Sequence, residues 1–371
     1  MSDDGKENQG PAPKVSPLKG ELRVMRRVDL RSDTVTTPTP AMREAMAEAE
    51  VGDDVYGEDP TVRRLEETAA RLLGKEAGLY VPSGTMANLI AVMTHARRGS
   101  EVILEAESHI YYYEAGGMAV CAQVMPHTVK GERGFLTPEM LKAALRPSNL
   151  HFPPATLLCL ENTHNRAGGT VWPLEQLEAV IDVAHDAGLA VHLDGARIFN
   201  AAVHLGLPAS RIAERADSVM FCLSKGLAAP VGSVLVGRRD WIAAARRNRK
   251  VVGGAMRQAG VIAAAGLVAL ETMVSRLAED HANARDLAER LAAVPGVSVD
   301  LEWVQTNMVM ADVSGLGVAA PDFARRLAGR GVLVNAVDPH RLRFVTHKDV
   351  TAEDVREAAR VVAEEAAACR V

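Results

Sequence analysis

The stretch SVMFCLSKGLAAPVGSVLVG, from Ser218 to Gly237, decides how the fold of this chain is interpreted. It begins with an apolar run typical of a buried strand and continues into a turn of small residues that contains one lysine, Lys225. Strands buried in a parallel sheet are nearly continuous apolar segments, and side chains just beyond their carboxyl ends are often functional. Lysines also end strands on ordinary protein surfaces, so this stretch alone leaves Lys225 open between a solvated residue and a functional one.

Helical and strand patterns alternate around this stretch. An amphipathic helical pattern follows Pro60, while Thr137 and Pro138 are typical of the cap and first position of another helix. Apolar strand patterns separate the helices: GLYVP, SEVILEA, ATLLCLEN, LAVHLDG and SVMFCLS. The alternation predicts an α/β fold with a doubly wound or mostly parallel sheet covered by helices.

The sequence divides into four segments. Residues 1–24 are polar and rich in Pro, Gly, Lys and Asp, a composition that favours a disordered tail. Residues 25–55 form an N-terminal segment, and residues 56–275 form a large domain. Residues 276–371 combine long helical patterns with short strand patterns, which predicts a smaller C-terminal α+β domain.

The composition excludes several classes of partner. The 371 residues are 48% hydrophobic, and 42 basic and 47 acidic residues are scattered along the chain without a basic block. We therefore expect neither nucleic acid nor a membrane surface as a partner. The longest uncharged apolar run, Ala259 to Leu270, is too short to span a bilayer. Four cysteines without a CxxC pair are typical of reduced, buried thiols, which favours a cytoplasmic protein.

The segment VPSGTMANL places Ser83, Gly84 and Thr85 between a strand and a helix. Small residues let a ligand approach the backbone, and free N–H groups at a helix start attract anions such as phosphate. A serine and a threonine at a helix start also serve as simple caps, so the motif is weak by itself. The sequence thus indicates a candidate phosphate-binding turn.

The segment VHLDGAR ends an apolar strand with Asp194 and places Arg197 shortly after it. Buried charges are costly unless they have partners, so an internal Asp194–Arg197 ion pair is one interpretation and a functional pair is the other. Lys225 follows Asp194 by about the length of one strand-to-strand crossover. We therefore expect Asp194 and Lys225 at neighbouring strand ends.

These three elements suit one cofactor. Pyridoxal phosphate requires an anion site for its phosphate, a lysine for a Schiff base and a carboxylate that keeps its ring nitrogen protonated. The carboxyl ends of parallel strands lie along one edge of a sheet, so distant segments can supply all three groups. The sequence therefore favours a pyridoxal 5'-phosphate enzyme.

Several segments resemble the low-specificity L-threonine aldolases, pyridoxal-phosphate enzymes with the aspartate aminotransferase fold. They are DLRSDTVTTPTPAMREAM, VGDDVYGEDPTVRRLE, VPSGTMANL, EVILEAESHIYYYEAGG, ENTHNRAGGTVWPLE, VHLDGARIFNAA, SVMFCLSKGLAAPVGSVLVG, GGAMRQAG and LRFVTHKDV. The resemblance runs in order from Asp29 to the last helix. It implies the fold type I architecture of PLP-dependent transferases, with a mostly parallel seven-stranded sheet between helices and a smaller C-terminal α+β domain.

The resemblance assigns cofactor roles. It makes Lys225 the Schiff-base lysine and Asp194 the partner of the pyridine nitrogen, and it lets Arg197 reach the ring hydroxyl or the substrate carboxylate. Gly84, with Thr85 and the adjacent Ser83, would hold the phosphate.

The resemblance also implies that Arg257 of MRQAG reaches the phosphate from a neighbouring subunit. We therefore expect a homo-oligomer, at least a dimer, with a tetramer built from two dimers as the family's arrangement.

Substrate binding follows from the same resemblance. Ser32 in DLRSD and Arg343 in RLRFVTH are the candidates for gripping the substrate carboxylate, because an arginine fork matches that shape. The alternative for Arg343 is a surface strand residue beside Arg341. Tyr113, the last of three consecutive tyrosines, is expected to face the substrate side chain, and the three tyrosines could instead belong to the core.

The expected base is a histidine. His109 in ESHIYYY is the family's ring-stacking residue and our candidate base, and His127 in VMPHTV is the alternative. An unperturbed imidazole, with a pKa of about 6.5, accepts a proton near neutral pH. The histidines include no HExxH pair or tight cluster in sequence, so no metal is expected.

The expected reaction is the cleavage of L-threonine, L-allo-threonine and related β-hydroxy-α-amino acids to glycine and an aldehyde. β-Elimination or transamination on the same scaffold is the alternative, since both also use Lys225 and Asp194. A non-catalytic binding module is a third possibility, which the presence of both residues disfavours.

Overall fold

The structure is a computed structural model, and it describes residues 27–369. The tail expected over residues 1–24 lies outside the described residues. The strands are β1 (Val28–Asp29), β2 (Ala77–Val81), β3 (Glu101–Glu105), β4 (Met125–Val129), β5 (Ala155–Glu161), β6 (Ala190–Asp194), β7 (Ser218–Cys222), β8 (Ser233–Gly237), β9 (Ser298–Val299), β10 (Met308–Asp312), β11 (Val332–Leu333), β12 (Asn335–Ala336) and β13 (Arg341–Val345).

The helices alternate with these strands over most of the chain. They are α1 (Pro40–Ala47), α2 (Pro60–Leu72), α3 (Gly84–His95), α4 (His109–Tyr112), α5 (Pro138–Ala144), α6 (Leu174–Asp186), α7 (Ile198–Leu205), α8 (Ala209–Ala213), α9 (Arg239–Val251), α10 (Gly260–Thr272), α11 (Leu277–Ala292), α12 (Ala320–Gly329) and α13 (Ala352–Ala368). The predicted cap at Thr137 is confirmed, because its side chain accepts a hydrogen bond from the Met140 backbone N–H.

A seven-stranded sheet forms the centre of the large domain, in the order β2-β8-β7-β6-β5-β3-β4. The pairs from β7 to β4 are parallel, and β8 runs antiparallel to both of its neighbours. The mostly parallel α/β sheet predicted from the sequence is confirmed.

Side chains alternate between the two faces of this sheet, as the two-residue period of a strand requires. On β6, Val191 and Leu193 face the largest apolar cluster, which also contains residues of α2, α6 and α10. On β7, Met220 and Cys222 face the other side and pack against α3 and α9. His192 and Asp194 alternate with Val191 and Leu193, so they lie on the α3 side.

A second apolar core lies in the C-terminal part of the chain. It covers the antiparallel sheet β12-β13-β10-β9 with α11, α12 and α13. The N-terminal segment joins this core, because β1 pairs with β11 in a two-stranded parallel sheet. Helix α11 contributes Leu277 to the large-domain core and Ala284 onward to the second core. The domain boundary predicted near residue 276 remains a proposal. It is supported by the passage of α11 from the large-domain core to the second core.

The cysteines only partly fit the expectation of buried thiols. All four are free; Cys159 and Cys222 are buried, whereas Cys121 is exposed and Cys369 is intermediate. Among the described residues, no single helix has both the length and the apolar character needed to cross a membrane, and only the bent pair α10–α11 passes by length and composition.

Candidate active site

The predicted meeting of Asp194 and Lys225 is confirmed by the strand order. β6 and β7 are parallel neighbours, with Asp194 opposite Met220, and Lys225 follows just beyond the end of β7. Two cavities adjoin this edge of the sheet. An outer cavity of about 380 Å³ and an inner one of about 160 Å³ are both lined by His109 and Lys225.

The turn before α3 opens into the inner cavity. Gly84 and Thr85 line the cavity, while the Ser83 hydroxyl caps α3 by accepting a hydrogen bond from the Met86 N–H at 3.2 Å. A Cβ atom on Gly84 would lie 2.9 Å from Cys222 Sγ, so the close approach to β7 requires glycine. The backbone N–H groups of this turn and the helix dipole make an anion site, in which Ser83 acts through its cap.

Asp194 is buried in the inner cavity and held by two donors. Its Oδ2 accepts a hydrogen bond from Asn88 Nδ2 at 2.8 Å, and its Oδ1 accepts one from the Ala196 N–H at 3.0 Å. These two hydrogen bonds fix the orientation of the carboxylate and leave lone pairs that can accept from a further N–H partner. The sequence analysis missed Asn88, which lies on α3 inside the segment VPSGTMANL.

Arg197 pairs with Asp33 and not with Asp194. Its Nε and Nη2 donate to the two carboxylate oxygens of Asp33 at 2.7 and 2.6 Å. Burial alone would raise the pKa of Asp33, but the charge and hydrogen bonds of Arg197, with the charge of Lys225 and a bond from Asn307, hold it well below its usual value. The internal Asp194–Arg197 pair considered from the sequence is therefore wrong. Asp33 was missed, although it is the second aspartate of the quoted motif DLRSD.

Arg343 lies in the outer cavity without a carboxylate partner among residues 27–369. Its Nη1 donates to Asn165 Oδ1 at 2.8 Å and its Nη2 approaches the Arg31 carbonyl at 3.4 Å. Burial, followed by the charge of Arg197, lowers its pKa. Arg341 instead forms an ion pair with Asp338. The geometry thus favours Arg343 over its neighbour as the cation that receives an anionic ligand.

Ser32 and Tyr113 also line the outer cavity. The Ser32 hydroxyl accepts a hydrogen bond from the Thr34 N–H, and the Tyr113 hydroxyl accepts one from Arg166 Nη1 at 2.9 Å. The three tyrosines are all exposed, by 45 to 52%, so the alternative that they form part of the core is wrong.

His109 begins α4 and is anchored by two glutamates. Its backbone N–H donates to Glu161 Oε2, and its ring Nδ1 lies 2.9 Å from Glu114 Oε1. Burial would lower the pKa of His109, but the hydrogen bond to Glu114 and the charges of Asp194, Glu114 and Glu161 outweigh burial and raise it. Because the Glu114 carboxylate can only accept, the proton of a neutral His109 ring sits on Nδ1, and Nε2 keeps its lone pair.

His127, the alternative base, lies elsewhere. It sits in the middle of the edge strand β4, opposite Ile103, and its Nδ1 is 3.5 Å from Glu101 Oε2 at the start of β3. It is not one of the described residues that line either cavity. We correct the alternative assignment accordingly, because a base must reach the reacting proton directly or through one water.

The inner cavity fits pyridoxal phosphate in its chemistry. The turn at Gly84 offers N–H donors to a phosphate, Asp194 offers a buried acceptor to a ring N–H, and Lys225 offers a primary amine. His109, Glu114 and Asp194 also place ligand atoms within 4.8 Å of one another, a spacing that a metal ion could use. Asn88 Nδ2 donates to both carboxylates, however, and an N–H donor between them disfavours a cation.

We predict that Glu114→Gln lowers the pKa of the His109 ring. The substitution keeps the shape of the side chain but removes the negative charge that stabilises the imidazolium. NMR titration of the ring protons measures the pKa directly. Glu107→Gln serves as the control, since exposed Glu107 pairs with Arg166 and should leave the His109 titration unchanged. An unchanged pKa in Glu114→Gln would show that the two side chains do not interact in solution.

Comparisons with known proteins show what this chain is similar to. The family model described as β-eliminating lyase matches residues 29–314. Low-specificity L-threonine aldolase 1 of Arabidopsis thaliana is 50% identical over 337 residues, which cover 90% of this chain and 94% of that protein. The low specificity L-threonine aldolase of Escherichia coli K12 is 46% identical over 333 residues, covering 90% of this chain and 97% of that protein.

A solved structure of a threonine aldolase from Leishmania major resembles most of this chain. The TM-score is 0.79 at 20% sequence identity, and the match covers 91% of this chain and 99% of that chain. The fold type I architecture expected from the sequence is confirmed by this similarity.

Proposed function

The chain belongs to the low-specificity L-threonine aldolases within the β-eliminating lyase family, and from this premise we propose that it cleaves L-threonine and L-allo-threonine to glycine and acetaldehyde. The enzyme is a carbon–carbon lyase, and related β-hydroxy-α-amino acids would give glycine and the corresponding aldehyde. One observation carries the proposal: Lys225, His109 and Arg343, which has no carboxylate partner among residues 27–369, line the same cavity.

The cofactor is pyridoxal phosphate. Gly84 and Thr85 would hold its phosphate, Asp194 would accept a hydrogen bond from its ring nitrogen, and Lys225 would supply the amine that binds it covalently. When bound, the cofactor takes up the electron pair released by the Cα–Cβ bond.

Arg343 and Ser32 bind the substrate carboxylate in this proposal. A guanidinium without a carboxylate partner in a partly buried cavity forms a strong, directional pair with an incoming carboxylate. Arg197, whose Nε and Nη2 are fixed by Asp33, lies in the same cavity and contacts the ring hydroxyl or the substrate carboxylate. Two fixed cations orient the amino acid, so the bond to be broken has one defined direction.

His109 is the proposed base. Its Nε2 takes the proton of the β-hydroxyl group, so that the C–O bond becomes the carbonyl of the leaving aldehyde as the Cα–Cβ bond breaks. A proton added to Cα then completes glycine. Tyr113, held by Arg166, lies on the outer side and faces the substituent of the β-carbon.

Acetaldehyde release from L-threonine tests this proposal. The wild type loaded with pyridoxal phosphate should release acetaldehyde and glycine in equal amounts, and Lys225→Ala should abolish the reaction. Arg343→Gln should raise KM for threonine about tenfold or more, because a hydrogen bond between charged groups is lost. Arg341→Gln is the matched control, since Arg341 pairs with Asp338 outside the cavity lining. Release of 2-oxobutyrate without acetaldehyde would replace the proposal by β-elimination.

A homo-oligomer would complete the phosphate site. Arg257 pairs with Asp53 and does not line the inner cavity of its own chain. The Asp54 N–H donates to the Arg257 carbonyl, and exposed apolar side chains lie near these two residues in sequence: Val51, Val55, Tyr56 and Val261. We infer that this surface meets a second copy, whose Arg257 reaches the phosphate, and that two such dimers form a tetramer. The cytoplasmic location remains a proposal that the four free cysteines favour.

We predict that the wild type elutes from gel filtration as a dimer or larger. Arg257→Ala should weaken binding of pyridoxal phosphate, measured by absorbance titration of the apoenzyme, because the phosphate loses a cation. Arg247→Ala changes an exposed arginine on α9 and should bind the cofactor like the wild type. A fully active monomer would contradict the shared site.

A further inference from the structure

A row of buried polar side chains lies behind Asp194, and the proposed chemistry does not use it. His192 is two residues before Asp194 on the same face of β6, and Ser218 is directly opposite His192 on β7. Asn88 and His95 lie on α3, which covers this face. His192, Asn88 and Ser218 are 0%, 1% and 0% exposed, so their polar atoms depend on one another for hydrogen bonds.

The four side chains form one continuous chain of hydrogen bonds. His95 Nε2 lies 2.8 Å from Ser218 Oγ, which lies 2.8 Å from His192 Nδ1. His192 Nε2 lies 3.0 Å from Asn88 Oδ1. Asn88 Nδ2 then donates to Glu114 Oε1 and to Asp194 Oδ2, each at 2.8 Å. The His95 ring is stacked on Trp241, which closes the far end.

The chemistry of the ends fixes the direction of every bond. Ionised carboxylates only accept, so Asn88 must turn its NH₂ group toward Asp194 and Glu114 and its carbonyl toward His192. His192 must then carry its proton on Nε2, which leaves Nδ1 to accept from the Ser218 hydroxyl. Ser218 has no second proton, so it accepts from His95 Nε2. Burial lowers the pKa values of His192 and His95 to about 3 and about 4, which leaves both rings neutral with a single N–H.

This arrangement solves an electrostatic problem in the active site. Asp194 and Glu114 are both buried, and carboxylates so close together ordinarily share a proton. The two N–H bonds of Asn88 give each carboxylate its own donor. An Asn88 turned the other way would place its carbonyl against both carboxylates and remove these donors.

We infer that Asn88 is a positioning residue, oriented by the one-way chain His95–Ser218–His192, which gives the neighbouring side chains of Asp194 and Glu114 one N–H donor each. The inference rests on the proposed function, in which Asp194 is the partner of the cofactor's ring nitrogen. Through Asp194 the chain supports the cofactor ring, and through Glu114 it sets the protonated nitrogen of His109. The side-chain amide of Asn88 therefore links Asp194, which supports the cofactor ring, to Glu114, which orients the proposed base His109.

Ser218 is the member of this hydrogen-bond chain whose removal tests the inference. In Ser218→Ala, Nδ1 of His192 loses its donor, so the Asn88 carbonyl alone holds the ring. The ring is then free to turn, and Asn88 loses the fixed N–H partner that holds its two donors against the carboxylates. The hydroxyl itself is two hydrogen bonds away from Asn88 and does not line the inner cavity.

The first test is the ring tautomer of His192 in the apoenzyme, measured by ¹⁵N NMR with histidine labelling and His192→Gln for assignment. The inference predicts a protonated Nε2 and an unprotonated Nδ1 in the wild type. A proton on Nδ1 would overturn it. No cofactor or substrate is present, so a failure here is separate from a failure to release acetaldehyde.

The second test compares Ser218→Ala with Ser233→Ala. Ser233 is an equally buried serine on the neighbouring strand β8, and its hydroxyl has no hydrogen-bond partner among residues 27–369. Ser218→Ala should weaken binding of pyridoxal phosphate to the apoenzyme severalfold, because Asn88 is then held less firmly against Asp194. Ser233→Ala should match the wild type. Equal cofactor affinity in both variants would show that the hydrogen-bond chain does not act on Asp194.

Discussion

The buried carboxylate of Asp33 is the contact on which the geometry of the site depends. It lies in the N-terminal segment and is 0% exposed. It accepts two hydrogen bonds from Arg197 of the large domain and one, at 3.3 Å, from Asn307, which directly precedes β10. The neighbouring Thr36 hydroxyl donates to the Lys225 carbonyl. A buried charge must be paired, so any shift of these three parts of the chain would leave Asp33 or Arg197 uncompensated. The outer cavity is thereby held in one shape.

A second carboxylate, that of Glu161, fixes the positions of the groups proposed to act on the substrate. Glu161 ends β5, where its Oε2 accepts from the His109 N–H at 2.6 Å and its Oε1 accepts from the Asn165 N–H at 2.8 Å. Asn165 in turn accepts from Arg343. A single strand end therefore positions the proposed base and the proposed carboxylate clamp together, as the edge of a parallel sheet allows.

The sequence was sufficient to predict the sheet and the meeting of Lys225 with Asp194. Buried strands have a clear apolar pattern, and in a parallel sheet the topology alone brings strand ends together. The partners of those residues were not predictable in the same way. Asp33 and Arg197 are 164 positions apart, and Asn88 and Asp194 are 106 positions apart, so no local pattern links them.

The errors have similar physical causes. His127 was close to His109 in sequence, but it lies within the edge strand β4, whose register with β3 points its side chain toward Glu101. Core packing was the alternative for the three consecutive tyrosines, and it is wrong because they lie on the short helix α4 and the turn after it, where solvent reaches all of them.

Borohydride reduction followed by peptide mass spectrometry is the most direct measurement of the central claim, that the amine beyond β7 carries the cofactor. Reduction makes a lysine-bound pyridoxal phosphate permanent, and the mass of the modified peptide identifies the lysine. The account predicts one modified peptide, containing Lys225, with the modification lost in Lys225→Ala. Modification of a different lysine, or none in a protein that has bound the cofactor, would contradict it.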